Sequence, residues 1–243
     1  MIFTSARLHK GAPLTVAAIA LTCNCYAAAP KLYAAKELQL HGAKPRAADL
    51  DRPFEAPLPA LVQDSAGKHL VQLINCRDFL AVHGRIVGSD TDADYRVLRL
   101  QTVPCMVFAL LKSADTAQRS ALPSDFARNK ATTDYPASLW PAISNDEREH
   151  LGHSGATLRT ATRKAALHQV NGNTLELKDD SVVLHLTLLA RGDFDHDGWE
   201  DAAFRWEGYA LRGSYSDVKV VVLTRTSAGS LRELPVDKLL ATQ

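Results

Sequence analysis

Residues 181–206 read SVVLHLTLLARGDFDHDGWEDAAFRW, in which two apolar runs flank a short stretch crowded with aspartates. In the second run, Ala202, Phe204 and Trp206 fall on the opposite face from Arg205 if the chain is extended. This period of two predicts a strand with one buried face and one half-exposed face. The first run is rich in Val, Leu and Thr, which also favours a strand. We therefore predict two adjacent antiparallel strands joined by the acidic loop.

The loop between these strands has the spacing of a cation site, with Gly198 at position 6 to permit a sharp turn. Four aspartates occupy its positions 1, 3, 5 and 9: Asp193, Asp195, Asp197 and Asp201. Carboxylates two residues apart on a tightly curled loop can converge, and calcium accepts about six to eight oxygen ligands in flexible geometry. The sequence predicts one Ca²⁺ ion held by these aspartates and the Trp199 carbonyl. An acidic hairpin loop that binds no ion is the alternative interpretation.

The stretch GDFDHDGWEDAAF, placed between two strands, resembles the calcium loop of FG-GAP and VCBS-type repeats. The resemblance covers residues 182–208, and the rest of the chain is not recognised. An EF-hand would require a glutamate at position 12, where this chain has Phe204, and helices on both sides. Those families repeat the unit to build a propeller, whereas this chain has one copy, so neither a propeller nor an adhesion role is implied. His196 at position 4 departs from the small or turn-forming residue that is usual there.

The chain changes character near residue 156. Residues 30–65 contain five prolines among alanines and charges, which predicts an extended lead-in. Residues 66–155 are predicted to be helical, and residues 156–243 carry short Val- and Thr-rich runs separated by turns, as in an antiparallel meander. The predicted fold class is α+β, with a helical first half packed on an antiparallel β-meander in the second half.

Three segments of the first half have apolar residues at helical spacing: INCRDFLAVHG, SDTDADYRVLRLQTV and PCMVFALLKSA. Asn75 can cap the first of these helices, and Pro104 can begin the third at its first turn. A further short helix is predicted over residues 144–155.

Residues 1–29 have the three-part layout of a secretory signal peptide. Arg7 and Lys10 form a basic region, residues 14–21 form an apolar run, and small residues follow at 27–29. The run is shorter than the about twenty apolar residues that span a bilayer. The mature protein is therefore expected to be periplasmic or secreted, with no transmembrane segment. A buried N-terminal helix and a lipid anchor at Cys23 are the alternatives.

Cys76 and Cys105 are the two cysteines that would remain after removal of the first 29 residues. An oxidising compartment favours one disulfide between them. Two independently buried thiols are the alternative.

The overall composition argues against a nucleic-acid partner, because the formal net charge is +1 and no basic stripe is visible. No G-x-S-x-G motif, glycine-rich phosphate loop or HExxH motif is present. We expect a non-enzymatic binding, accessory or inhibitor-like module with a structural calcium loop, acting on another envelope or secreted protein. The alternative is a secreted hydrolase whose catalytic residues meet only in the fold.

Overall fold

The computed structural model describes residues 30–124, 126, 135–142, 144, 146–147, 149, 151, 156–161, 166–226 and 230–241. The predicted signal peptide, with the alternative anchor at Cys23, lies outside these residues, and the helix predicted over residues 144–155 lies mostly outside them. Within the described ranges, no helix combines the length and the apolar character needed to span a bilayer.

The described residues form ten strands and five α-helices, with short 3₁₀ turns at Lys36–Leu38, His83–Arg85 and Ala137–Leu139. The strands are β1 (Tyr33–Ala34), β2 (Pro53–Asp64), β3 (Gly67–Asn75), β4 (Ile86–Gly88), β5 (Ala166–Asn171), β6 (Thr174–Lys178), β7 (Val182–Gly192), β8 (Asp201–Ala210), β9 (Ser216–Thr224) and β10 (Arg232–Leu234). The helices are α1 (Ala47–Leu50), α2 (Cys76–Val82), α3 (Asp92–Ser113), α4 (Leu158–Ala161) and α5 (Val236–Ala241).

The second half of the chain is the predicted antiparallel meander. Its strands lie in the order β10-β9-β8-β7-β6-β5, and β1 adds to β7 to complete a seven-stranded sheet. The two runs of the opening stretch form β7 and β8, which pair from Val182–Ala210 to Gly192–Asp201. The acidic loop is therefore the turn of the central hairpin of this sheet, as predicted.

The predicted helical first half is wrong, and with it the α+β fold class. Strands β2, β3 and β4 form a second antiparallel sheet in the order β3-β2-β4, so the described chain is mostly β, with two sheets. Prolines in β2 obscured this sheet, although Leu58, Ala60 and Val62 are buried at a period of two. Pro59 of β2 pairs with Gln72 in β3. Strand β4 pairs with β2 only at Leu61 and Val62 of β2. A proline is tolerated in a strand where its missing N–H faces no partner strand.

The long helix α3 also differs from the prediction, because it is one helix and not two. Pro104 lies inside it and does not begin a new helix. A proline inside a helix costs about 3 kcal/mol. Residues on both sides of it are buried, among them Leu98, Val103 and Leu110, and burying each such side chain contributes about 1.5–3 kcal/mol. Tertiary burial therefore outweighs the local cost and keeps the helix continuous.

The predicted start of α2 and the predicted disulfide are both confirmed. The Asn75 side chain accepts a hydrogen bond from the Asp78 backbone N–H and caps α2. Cys76, the first residue of α2, is joined to Cys105 in α3. Both cysteines are buried. The disulfide therefore holds two helices of the first half side by side within the core.

Both faces of the seven-stranded sheet are covered. On one face α3 packs against the sheet through a core of buried apolar residues that includes Val107, Leu111, Ala203, Val220 and Val222. On the other face Phe204 and Trp206 are buried in a second core, where the Trp206 indole N–H donates to the Leu139 carbonyl at 2.6 Å. Arg205 and Glu207 form an ion pair at 3.0 Å. Phe204 and Trp206 are thus buried, as their spacing predicted, whereas the opposite face, predicted to be half-exposed, is buried at Ala203 and half-exposed at Arg205 and Glu207.

Candidate metal centre

The loop from 193 to 201 reverses the chain through two residues in the left-handed conformation. Gly198 has a φ of 84°, which glycine adopts without steric cost. His196 has a φ of 62°, in a region where histidine is enriched among residues with a side chain. The unusual histidine at position 4 therefore serves as a turn residue in this loop.

The first three aspartates of the loop converge. Asp193, Asp195 and Asp197 each offer one carboxylate oxygen, and these three oxygens lie within 4.8 Å of one another. Like charges this close repel one another, and a bound cation offsets that repulsion. The structure therefore forms an acidic cluster that can hold a metal ion, as the spacing predicted.

Backbone amides curl the loop around the first of these carboxylates. Asp193 is 4 % exposed, and its two oxygens accept from the N–H groups of Asp197 at 3.1 Å and Gly198 at 2.8 Å. Asp197 in turn accepts from the Trp199 N–H at 2.8 Å. An ionised carboxylate has about four acceptor sites, so these bonds leave lone pairs for a cation.

The fourth aspartate lies outside this cluster but close to it. Asp201 is 0 % exposed, and one of its oxygens accepts from the Phe194 N–H at 2.9 Å. Burial, together with the charges of Asp195 and Asp197, raises the pKa of Asp201 to about 7. The Thr224 hydroxyl and the Phe194 amide lower this pKa and offset the rise only in part.

Trp199, predicted to offer its backbone carbonyl, is held by a chain segment that sequence reasoning missed. The Gly198 carbonyl accepts from the N–H groups of Gln118 and Arg119, at 3.0 and 3.1 Å, and the Glu200 N–H donates to the Arg119 carbonyl at 2.8 Å. These bonds form a parallel bridge between Arg119 and Trp199, in which the Trp199 carbonyl takes no part.

The same segment, residues 115–120, contacts the loop at both ends. Asp115 and Asp193 form an antiparallel bridge through their backbones, and the Asp115 carboxylate lies 2.9 Å from His196 Nδ1. At the other end the Ser120 hydroxyl donates to the Glu200 carboxylate at 2.6 Å. The segment carries no motif and no periodicity, so no signal in its sequence could have placed it beside the loop.

The ligand set predicted from the sequence suits a hard cation. It consists of oxygens only, from carboxylates and one backbone carbonyl, and neither a cysteine nor a histidine belongs to the converging group. Oxygen sets of this kind suit calcium, magnesium or manganese, whereas zinc and copper sites are usually built with nitrogen or sulfur ligands. The structure shows an acidic cluster able to hold a metal ion.

Comparison of the chain with models of known families, with curated proteins and with solved structures gave no match. The resemblance to FG-GAP and VCBS-type repeats therefore rests on the loop and its two flanking strands.

Proposed function

We propose that the loop binds one calcium ion through five protein ligands, and that the ion stabilises the central hairpin of an exported, non-enzymatic binding or accessory module. The ligands are the four aspartate carboxylates and the Trp199 carbonyl. The observation that carries the proposal is the convergence of Asp193, Asp195 and Asp197, whose carboxylate oxygens lie within 4.8 Å of one another, with the buried Asp201 carboxylate near them. Like charges this close repel one another, and a cation bound at the loop offsets that repulsion.

The place of the loop in the sheet supports a structural role for the ion. Asp201 is the first residue of β8 and pairs with Gly192 at the end of β7 and with Thr224 in β9. All five ligands come from nine consecutive residues of one turn. A site built in this way from its own loop stabilises the turn, and none of its ligands comes from another element that a substrate would have to approach.

Calcium fits the loop better than magnesium does. Magnesium demands a small octahedral shell and retains several of its water ligands, whereas calcium takes oxygens in flexible arrangements. The loop offers carboxylates that can bind through one or both oxygens, together with a backbone carbonyl. This is the mixed oxygen set that calcium tolerates.

A surface cleft offers a binding site outside the metal centre. It has a volume of about 660 Å³, lies between α3, β9 and β10, and is lined mainly by apolar side chains. His83, Glu233 and Asp237 are among its polar residues. The described residues form two histidine–carboxylate hydrogen bonds, His185–Glu176 and His196–Asp115, and both lie outside this cleft. The hydrolase alternative therefore has no supporting histidine–carboxylate pair in this cleft among the described residues.

The disulfide supports the exported location, since such bonds persist in oxidising compartments. The partner we propose is another envelope or secreted protein. Co-purification of the protein from an envelope extract, with and without chelator, tests for such a partner.

Calorimetric titration of chelator-treated protein with calcium tests the metal site. One site is expected in the unaltered chain, and no measurable binding is expected in Asp195→Ala or Asp197→Ala. Asp180→Ala is the matched control, because Asp180 is an exposed acid in the turn between β6 and β7. Undiminished binding in the two loop variants would contradict the proposal.

A further inference from the structure

We infer that Arg119 is a positioning residue of the metal centre, because it sets the direction of the Trp199 carbonyl from a segment about eighty residues earlier in the chain. The inference rests on the proposed function, since it concerns how the same site is held. Arg119 contacts no proposed carboxylate ligand in the described structure. Its effect is exerted entirely through the peptide groups and the indole ring of the loop.

Arg119 holds Trp199 in three ways. Its N–H donates to the Gly198 carbonyl at 3.1 Å, on one side of Trp199. Its carbonyl accepts from the Glu200 N–H at 2.8 Å, on the other side. Its guanidinium lies over the Trp199 indole, 4.4 Å from the ring centroid. Arg119 therefore contacts both peptide groups that flank Trp199 and also its side chain, while Gln118 shares the bond to the Gly198 carbonyl.

The bond to the Glu200 N–H decides where the Trp199 carbonyl points. The Trp199 C=O and the Glu200 N–H belong to the same peptide group, and the described chain contains no cis peptide bond. In a planar trans peptide the C=O and the N–H point in opposite directions. Because the Glu200 N–H points at the Arg119 carbonyl, the Trp199 carbonyl must point away from residue 119. Arg119 thereby holds this carbonyl in a single direction.

The aspartates of the loop do not supply this constraint by themselves. Asp197 accepts from the Trp199 N–H, which fixes the peptide group before Trp199, whereas the carbonyl belongs to the peptide group after it. Rotation between these two groups would turn the carbonyl without breaking any bond within the aspartate cluster. The backbone bridge to Arg119 opposes that rotation, and the guanidinium over the Trp199 ring adds a side-chain contact to the same pair of residues.

Removing the Arg119 side chain should change calcium affinity in one direction if Arg119 acts only through its charge, and in the opposite direction if it positions Trp199. A guanidinium near a calcium site repels the cation, so its loss raises calcium affinity if Arg119 acts only as a charge. If Arg119 acts by positioning, loss of the stacking contact lowers the affinity. Such contacts at exposed sites contribute about 0.5–1 kcal/mol, which corresponds to roughly two- to five-fold in Kd.

The experiment is a calcium titration of Arg119→Ala, Arg119→Lys, Trp199→Ala and the double variant Arg119→Ala/Trp199→Ala. We expect about two- to five-fold weaker binding in each alanine variant. The double variant should bind no more weakly than the weaker single variant, because both changes remove the same contact. Arg119→Lys keeps the charge but lacks the planar group, and it should bind more weakly than the unaltered chain. Arg212→Ala is the matched control, because Arg212 is exposed in the loop between β8 and β9, and its binding should not change.

The hydrogen-exchange rate of the Glu200 amide in the metal-free protein reports on its hydrogen bond to the Arg119 carbonyl, with no contribution from a bound ion. Faster exchange in Arg119→Ala than in the unaltered chain supports the inference. Equal exchange overturns it, as does calcium binding that is unchanged or tighter in Arg119→Ala. If the unaltered chain takes up no calcium, the proposed function fails, and the exchange measurement then decides whether Arg119 positions this carbonyl.

Discussion

Asp201 and Thr224 are paired across β8 and β9, and the Thr224 hydroxyl acts on the buried Asp201 carboxylate to lower its pKa. Burial and the charges of Asp195 and Asp197 nevertheless raise this pKa to about 7. A cation at the loop would offset that rise, because a positive charge favours the ionised form of the carboxylates around it.

Replacing Asp201 by asparagine should make the metal-free protein more stable and its response to calcium weaker. The change removes a buried negative charge, so the metal-free protein should gain about 1–3 kcal/mol of unfolding free energy at pH 8. The same change should weaken the stabilisation by calcium, because an amide oxygen carries no charge and binds the ion less strongly than a carboxylate does. Urea unfolding with chelator and with calcium measures both effects. A variant that is less stable without metal would contradict the cost of the buried charge, and one that still responds fully to calcium would show that Asp201 is not a ligand.

The stability of the metal-free protein should depend on pH through Asp201. Its pKa is raised from an ordinary 3.8 to about 7 in the folded chain, so the folded state binds this proton more tightly than the unfolded state does. The resulting contribution to stability is fully present below about pH 4 and is lost as the pH rises through about 7. In chelator, the unfolding free energy should therefore be larger at pH 5.5 than at pH 7.5. Asp201→Asn should remove most of this difference, and a dependence that persists in the variant would exclude Asp201 as its source.

Calcium should raise the melting temperature of the protein, and chelator should lower it. An ion that binds only the native state adds RT ln(1 + [L]/Kd), or about 2.7 kcal/mol at a calcium concentration about 100 times Kd. Probes in β7 and β8 should report the change most clearly, because the loop joins these strands. Magnesium at the same concentration should have a smaller effect. Measured calcium binding with no shift in melting temperature would contradict the structural role and favour an enzyme.

Loss of the disulfide should destabilise the protein without removing the metal site. The bond joins residues 29 apart in sequence, and a closed loop of this length contributes about 3.6 kcal/mol on the chain-entropy model. Cys76→Ser/Cys105→Ser should therefore unfold at lower denaturant concentration and still bind calcium. Intact mass before and after alkylation verifies the bond in the unaltered chain. Two free thiols in protein taken from an oxidising compartment would contradict it.

Much of the candidate site was predictable because its signals are local. The alternation that buries Phe204 and Trp206 and the spacing of Asp193, Asp195 and Asp197 follow from residues near one another in the chain. A strand has a period of two whatever it packs against, and the turn needs only its own residues. The meander, its central hairpin and the converging carboxylates could therefore be predicted from the sequence.

The remaining features of the fold and of the candidate site depend on contacts between residues that are far apart in the sequence. Pro59 lies in a strand because no partner strand needs its N–H, and Pro104 lies inside a helix because both sides of α3 are buried. The segment containing Arg119 meets Trp199 across about eighty residues, and the burial of Asp201 reflects packing from several elements. Sequence by itself determined the spacing of the ligands, because spacing is a property of neighbours along the chain. Only the tertiary structure decided the burial of Asp201 and the direction of the Trp199 carbonyl, because both depend on which distant segments come to lie beside the loop.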